Sequence, residues 1–240
     1  MKTVAIIPAA GLGTRMGKAS PDGEVGRKQF LLLDGAPILM HTIRKFIQAE
    51  SIDEILVALR ADDVATVQAA LDQEQPAKPV RLVEGGHNRQ ESVRNCLREI
   101  ADEVDLVAVH DAVRPFITPT LIDSAVAEAA TYGAVILGMP AVETVKQVSQ
   151  TVIESTLLRE RIMLAQTPQV FRAELLQRAS AQAEQDGFTS TDEASLVEHL
   201  GEDVHVMRGS DRNIKITRPG DLAVAELFYR EEQQSLARQS

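Results

Sequence analysis

Val4-Ala5-Ile6-Ile7-Pro8-Ala9-Ala10-Gly11-Leu12-Gly13-Thr14-Arg15-Met16-Gly17 stands near the start of the chain, and its reading decides the fold. An apolar run ends in a loop of small residues, and the loop at once acquires a positive charge. Small residues let backbone N–H groups approach an anion closely, and glycine supplies backbone angles that other residues avoid. Such a loop after a first strand reads as a phosphate cradle, with a bare structural turn as the alternative. The dinucleotide fingerprint G-x-G-x-x-G is missed: Met16 stands where the third glycine belongs, and Gly17 comes one residue late. The Walker pattern is missing as well. Instead Arg15, Lys18, Arg27 and Lys28 populate the polar segment that follows, which suits neutralisation of a triphosphate.

Outward from that loop, strand-like runs alternate with helix-like segments through residue 140. Thr3–Pro8, Glu54–Leu59, Val80–Val83, Leu106–Val109 and Ala134–Met139 read as strands, and Leu106–Val109 is apolar enough to be central. Helices are expected from Pro37, over Asp62–Gln73, over Arg89–Ala101, and after the cap-and-first-turn pair Thr118-Pro119. This β-α alternation predicts an α/β, doubly wound, mostly parallel sheet with helices on both faces. In such sheets ligands bind beyond the carboxyl ends of the strands. That rule selects the loops at Gly11–Gly17, Gly85-Gly86 and His110–Pro115.

The alternation breaks at Pro140. Ala141–Val148 alternates as an exposed strand would, and Thr151–Leu157 can return antiparallel to it. Either the ribbon leaves the body to meet a second subunit, or it folds back on its own domain. Further on, Arg172–Gln185 reads as a helix, Ser190 with Glu193 as a capping box, Asp203–Met207 and Asn213–Thr217 as strands, and Pro219–Tyr229 as a helix. Asp192 is explained there by the helix dipole.

Composition narrows the function. A chain of 240 residues, 44% hydrophobic, is a single domain able to bury a substantial core. A net charge of −10 with 3% aromatic residues argues against nucleic acid as a partner. The single Cys96 excludes an intrachain disulfide and reads as packing in preference to a nucleophile. No apolar run approaches the roughly 20 residues of a membrane span. Pro8 and Gly11 interrupt what would be a signal-peptide core, so a cytoplasmic location is expected.

A charged constellation follows the most apolar strand. Asp111, in His110-Asp111-Ala112-Val113-Arg114-Pro115, is a candidate ligand for Mg²⁺, which is held by one carboxylate, waters and substrate phosphates; a turn residue is the alternative. Arg114 can clamp a phosphate or pair with a carboxylate. Lys215, between Ile214 and Ile216, points opposite to its neighbours if the segment is a strand, either at a phosphate or at solvent. Pro168 stiffens Gln166-Thr167-Pro168-Gln169 by restricting Thr167.

Pro8-Ala9-Ala10-Gly11-Leu12-Gly13-Thr14-Arg15-Met16, Lys28-Gln29-Phe30, His110–Pro115, Gln166–Gln169, Thr191-Asp192-Glu193-Ala194-Ser195 and Asn213–Thr217 occur in that order. Together they resemble 2-C-methyl-D-erythritol 4-phosphate cytidylyltransferases of the non-mevalonate isoprenoid pathway, over nearly the whole chain. The resemblance implies a Rossmann-like nucleotidyltransferase sheet with a protruding β-arm at about 140–162 that the family exchanges between the subunits of a homodimer. It also implies a Mg²⁺-dependent reaction in which the polyol phosphate attacks the α-phosphorus of CTP and expels pyrophosphate. By the same resemblance, Arg15 and Lys28 are transition-state cations and Asp111 binds the metal. Ala9, Ala10, Gly11, Leu12, Gly13, Gly85, Gly86 and Ser92 contact CTP, with Lys215 near the reacting phosphates. The methylerythritol phosphate contacts fall on Asp111, Arg114, Thr144, Arg159 and Thr167. Three features depart from the family's pattern: Ala19–Glu24 lengthens the loop, His87 replaces an acidic residue, and Met163 replaces an aromatic one. A ribitol 5-phosphate or other polyol-phosphate cytidylyltransferase shares the loop, and a nucleotide-binding regulatory module without turnover is a further alternative.

Overall fold

The computed structural model describes residues 1–11 and 27–237. Among the described residues its first strand, β1 (Thr3–Pro8), is followed by a 3-10 turn at Lys28–Phe30 and a small antiparallel pair, β2 (Leu32–Leu33) with β3 (Ala36–Pro37). Pro37 precedes helix α1 (Ile38–Gln48) as its N-cap. Then come β4 (Glu54–Leu59), α2 (Ala61–Glu74), β5 (Val80–Glu84), α3 (Arg89–Glu99) and β6 (Leu106–Val109). Thr118 caps α4 (Pro119–Tyr132) by accepting from the Leu121 amide at 3.3 Å, and Gly133 closes it at φ +87°. Beyond it lie β7 (Ala134–Pro140), the ribbon β8 (Lys146–Ser149) and β9 (Val152–Thr156), and β10 (Met163–Arg172). The remaining elements are α5 (Ala173–Asp186), α6 (Glu193–His199), β11 (His205–Arg208) and α7 (Pro219–Ala237).

One seven-stranded sheet carries the order β11-β7-β10-β6-β1-β4-β5. It is the expected doubly wound sheet, parallel throughout except at β10, which runs antiparallel to both β6 and β7. Side chains alternate across β1, and so do the two cores. Ala5 and Ile7 face Leu39, Ile43 and Phe46 of α1 and Ile122 of α4; Val4 and Ile6 face Val93 and Cys96 of α3 and Leu176 of α5. Burial pushes the Cys96 thiol up to about 12. The native protein is therefore expected to resist iodoacetamide at pH 8 and to react fully once denatured.

Three local expectations are corrected. Residues 163–172 form a ten-residue strand, which takes in Gln166–Gln169, where a stiff polar segment was expected. Its pairing with β7 slips register between Gln166 and Gln169, around a proline that has no N–H to give the ladder. Residues 213–217 are not a strand. They are tied instead to the 111–114 loop, the Ile216 amide donating to the Val113 carbonyl at 2.9 Å. The cap of α6 is Asp192, which accepts from the Ser195 amide at 3.2 Å, so Ser190 and Glu193 do not form a capping box. Glu193 turns inward and is 1% exposed.

Candidate active site

β1 leads on to β4 and β5 on one side, while β6 lies on its other side. The chain therefore reverses direction of winding between β1 and β6, and a crevice opens beyond their carboxyl ends. The register sets Ile6 beside Val109, and the His110 amide donates to the Ile6 carbonyl at 2.9 Å. The loops after Pro8 and after Val109 thus emerge side by side. Between them lies a cavity of about 240 Å³, lined by Ala9, Ala10, Gly11, Lys28, Arg89, Ser92, Asp111 and Lys215 among others. A second cavity of about 560 Å³ carries Gly85, Gly86 and His87 and shares Ala10 with the first.

Asp111 is 7% exposed at the cavity wall. Its Oδ1 accepts from Arg89 Nε at 3.2 Å, and its Oδ2 from Arg114 Nε at 3.2 Å and Lys215 Nζ at 2.9 Å. Burial alone would raise its pKa; Arg89, Lys215 and Arg114 outweigh burial and hold the carboxyl well below the usual carboxylate range. The group is thus an ionised hard-oxygen donor at the wall of this cavity. Among the described residues no three His, Cys, Asp or Glu side chains gather as a metal site. The donor set fits a Mg²⁺ that takes one protein carboxylate and fills its shell with phosphate and water oxygens.

Behind Asp111 the hydrogen bonds fix each proton. The Asp111 amide donates to Thr167 Oγ1 at 3.1 Å, and the Thr167 hydroxyl lies 3.0 Å from His110 Nδ1. His110 Nε2 faces the Arg114 carbonyl at 3.1 Å, which only a ring N–H can satisfy. Nδ1 is therefore the bare nitrogen and accepts from Thr167. Burial pushes the His110 pKa down to about 4, so the ring is neutral. Asn213 closes the back wall: its carbonyl accepts from Arg114 Nη1 at 2.7 Å and its Nδ2 donates to the Thr167 carbonyl at 2.8 Å. Lys215 is delivered by this buried loop.

Lys28 is held from its neighbour. Gln29 is buried, and its Nε2 donates to the Ala9 carbonyl at 2.7 Å and the Gly11 carbonyl at 3.1 Å. The 3-10 turn is thereby fastened to the glycine loop. Ser92 supports the other loop, its hydroxyl accepting from the Gly86 amide at 3.1 Å and donating to the Asn88 carbonyl at 2.8 Å. A Cβ on Gly85 would stand 2.4 Å from the Ala10 Cβ and 3.3 Å from the Leu59 carbonyl. Gly85→Ala is accordingly expected to cost about 1–3 kcal/mol of stability and to raise the KM for the nucleotide. An unchanged melting curve and KM would show that the two loops need not touch.

The candidate residues thus divide. Ala9, Ala10, Gly11, Lys28, Ser92, Asp111 and Lys215 line one cavity, and Gly85 and Gly86 the adjoining one. Arg114 and Thr167 lie buried behind Asp111. Thr144 and Arg159 are exposed beside the β8–β9 ribbon, with Arg159 Nη1 donating to the Val142 carbonyl at 2.9 Å. Leu12, Gly13 and Arg15 lie outside the described residues. His87 is exposed at the second cavity, and Met163 is 39% exposed on β10. Arg89, Gln29, His110 and Glu193 belong to the site's frame without having been singled out as candidates. One signal pointed to Arg89: a cation at the first position of a helix opposes the helix dipole.

Known proteins resemble this chain over nearly its whole length. A family model described as "IspD: 2-C-methyl-D-erythritol 4-phosphate cytidylyltransferase" matches residues 3–231. A 2-C-methyl-D-erythritol 4-phosphate cytidylyltransferase of Solibacter usitatus is 53% identical over 237 residues, covering 97% of each chain. One of Acidobacterium capsulatum is 48% identical over 236 residues, covering 96% of this chain and 98% of the relative. The crystal structure of 4-diphosphocytidyl-2C-methyl-D-erythritol synthase from Anaerococcus prevotii superimposes with a TM-score of 0.83 at 28% identity, covering 95% of this chain and 96% of that one.

Proposed function

The chain belongs to the 2-C-methyl-D-erythritol 4-phosphate cytidylyltransferase family, and from that premise we propose how its residues carry out the family's reaction. The enzyme transfers a cytidylyl group from CTP to 2-C-methyl-D-erythritol 4-phosphate, forming 4-diphosphocytidyl-2-C-methyl-D-erythritol in non-mevalonate isoprenoid biosynthesis. A phosphate oxygen of the polyol phosphate forms a bond to the α-phosphorus of CTP, and the bond from that phosphorus to the bridging oxygen of pyrophosphate breaks. Both nucleophile and leaving group are phosphate oxygens, so no covalent protein intermediate is required. Catalysis reduces to bringing two polyanions together and stabilising the charge on the α-phosphoryl oxygens and pyrophosphate.

The observation that carries the assignment is the convergence of Lys28, Asp111 and Lys215, from three separate parts of the chain, on the cavity under the glycine loop. In this reading Ala9–Gly13, Gly85, Gly86 and Ser92 seat CTP. Arg15 and Lys28 would stabilise the charge that develops at the α-phosphate, with Lys215 near the reacting phosphates. Asp111 would hold Mg²⁺, which when bound supplies a Lewis acid for phosphate oxygens. Arg114 and Thr167 complete the wall on which the acceptor rests.

The single domain, in the same reading, uses its β-arm to dimerise. Val142, Val148, Val152, Ile153 and Leu158 are between 54% and 77% exposed, an apolar surface that a second copy would cover. Thr144 and Arg159 would then serve the partner's cavity as ligands for the methylerythritol phosphate. Arg159→Ala is expected mainly to raise the KM for that substrate; an effect confined to CTP would refute its role. No helix among the described residues is long and apolar enough to cross a membrane.

The direct test is pyrophosphate release from CTP and Mg²⁺ with each candidate acceptor. Release with methylerythritol phosphate, abolished by removing divalent cations, is the expected result. Release with ribitol 5-phosphate alone would overturn the substrate. No release with any acceptor would point to a nucleotide-binding module.

A further inference from the structure

Arg89, partly exposed at the cavity, and the buried Glu193 form a charged pair that the roles above leave without a purpose. Arg89 begins α3, where the helix's own partial positive charge disfavours it. Its Nη1 and Nη2 donate to Glu193 Oε1 and Oε2 at 2.7 and 2.8 Å. Its Nε donates to Asp111 Oδ1 at 3.2 Å. Glu193 is itself tied into the fold: its amide donates to Gln169 Oε1 at 3.0 Å, and Gln169 Nε2 donates to Asp192 Oδ2 at 2.8 Å. A carboxylate buried so deeply is costly unless paired. The bidentate fork therefore fixes both the position and the direction of the guanidinium.

The three cations on Asp111 are consequently not equivalent. Lys215 reaches Oδ2 with one flexible ammonium, and its side chain is 34% exposed at the cavity. An arriving phosphate can draw it away. Arg89 is held more firmly, because its Nη1 and Nη2 are forked on Glu193 and leaving would strand that buried carboxylate. We infer that Arg89, clamped by Glu193, is a positioning residue that keeps the Asp111 carboxylate aimed into the cavity once Lys215 turns to the phosphates. This rests on the proposed role of Asp111 as the carboxylate that holds the divalent cation. The inference adds that Asp111 is aimed by residues from α3 and the start of α6, neither of which contributes a ligand to the cation.

The test is CTP binding by calorimetry to the full-length protein, with Mg²⁺ and with a chelator in its place, alongside steady-state turnover. Glu193→Gln and Arg89→Lys should each reduce the strengthening of CTP binding by Mg²⁺ roughly tenfold and lower kcat roughly 10–100-fold. Affinity for CTP without the metal and the KM for the acceptor should stay near wild type. In an Asp111→Asn background, Glu193→Gln should add no further loss of the Mg²⁺ effect. Arg89→Lys keeps the charge and loses the fork, so it decides the matter if Glu193→Gln fails to fold. An unchanged Mg²⁺ response in both variants would overturn the inference. Equal weakening of CTP with and without the metal would also overturn it, by making Arg89 a direct phosphate ligand. If Asp111→Asn itself leaves the Mg²⁺ response intact, the role of Asp111 falls, and the inference with it.

Discussion

Lys28→Ala is expected to lower turnover roughly 10²–10³-fold, the cost of losing one donor aimed at transition-state charge. Lys28 follows the polar loop and lines the cavity, and its neighbour Gln29 is pinned to the carbonyls of Ala9 and Gly11. The turn that carries it is fastened to the glycine loop proposed to seat the nucleotide. If the ammonium acts on the developing charge, kcat and kcat/KM should fall together; a rise in KM alone would mean that it binds ground state and transition state alike. Single-turnover measurement of pyrophosphate formation separates these outcomes. Near-normal turnover would remove Lys28 from the mechanism.

Asp111→Asn should have the larger effect, because one atom change removes two functions. The amide keeps the shape and loses the negative charge that Arg89, Arg114 and Lys215 share. Without it the three cations face one another across the cavity wall, with Glu193 as the remaining buried anion against Arg89. Breaking a buried ion pair costs about 3–5 kcal/mol; partial exposure of Arg89 and Lys215 relieves some of this, and a fall in melting temperature of roughly 6–12 °C is expected. Turnover should fall roughly 10³-fold, the equivalent of about 4 kcal/mol of lost Lewis-acid stabilisation. Thermal unfolding with and without CTP, and turnover across a Mg²⁺ series, check the two effects separately. Turnover within tenfold of wild type at high Mg²⁺ would show that the carboxylate does not serve the metal.

Where signals are local, the fold was legible in the sequence. Thr3–Pro8 and Leu106–Val109 are apolar runs of strand length, and Thr118-Pro119 with Gly133 brackets a helix by capping chemistry alone. Their alternation implies parallel strands, and parallel strands put a ligand at the carboxyl ends. β10 was not legible as a strand, because Gln166, Thr167, Pro168 and Gln169 interrupt its alternation and Pro168 cannot join the ladder. Only two flanking strands supply enough pairing to hold such a segment extended. On a strand that does not exist, Lys215 read as pointing either at a phosphate or at solvent, and only the resemblance placed it near the reacting phosphates. The surrounding hydrogen bonds from Ile216 and Asn213 bring it to the cavity by another route.

The sequence by itself thus determined the alternation of strands and helices up to residue 140, the glycine loop, and Asp111 as a candidate ligand, each encoded by residue type and spacing within a short window. The roles of Lys28 and Lys215 came from the resemblance, which spans nearly the whole chain. The tertiary structure alone decided which charges meet. Arg89 and Glu193 lie 104 positions apart, and each read locally as part of a helix start, Arg89 as a first residue and Glu193 as half of a capping box. They pair because α3 and α6 pack on the same face of the sheet, and a charge buried there persists only beside its opposite.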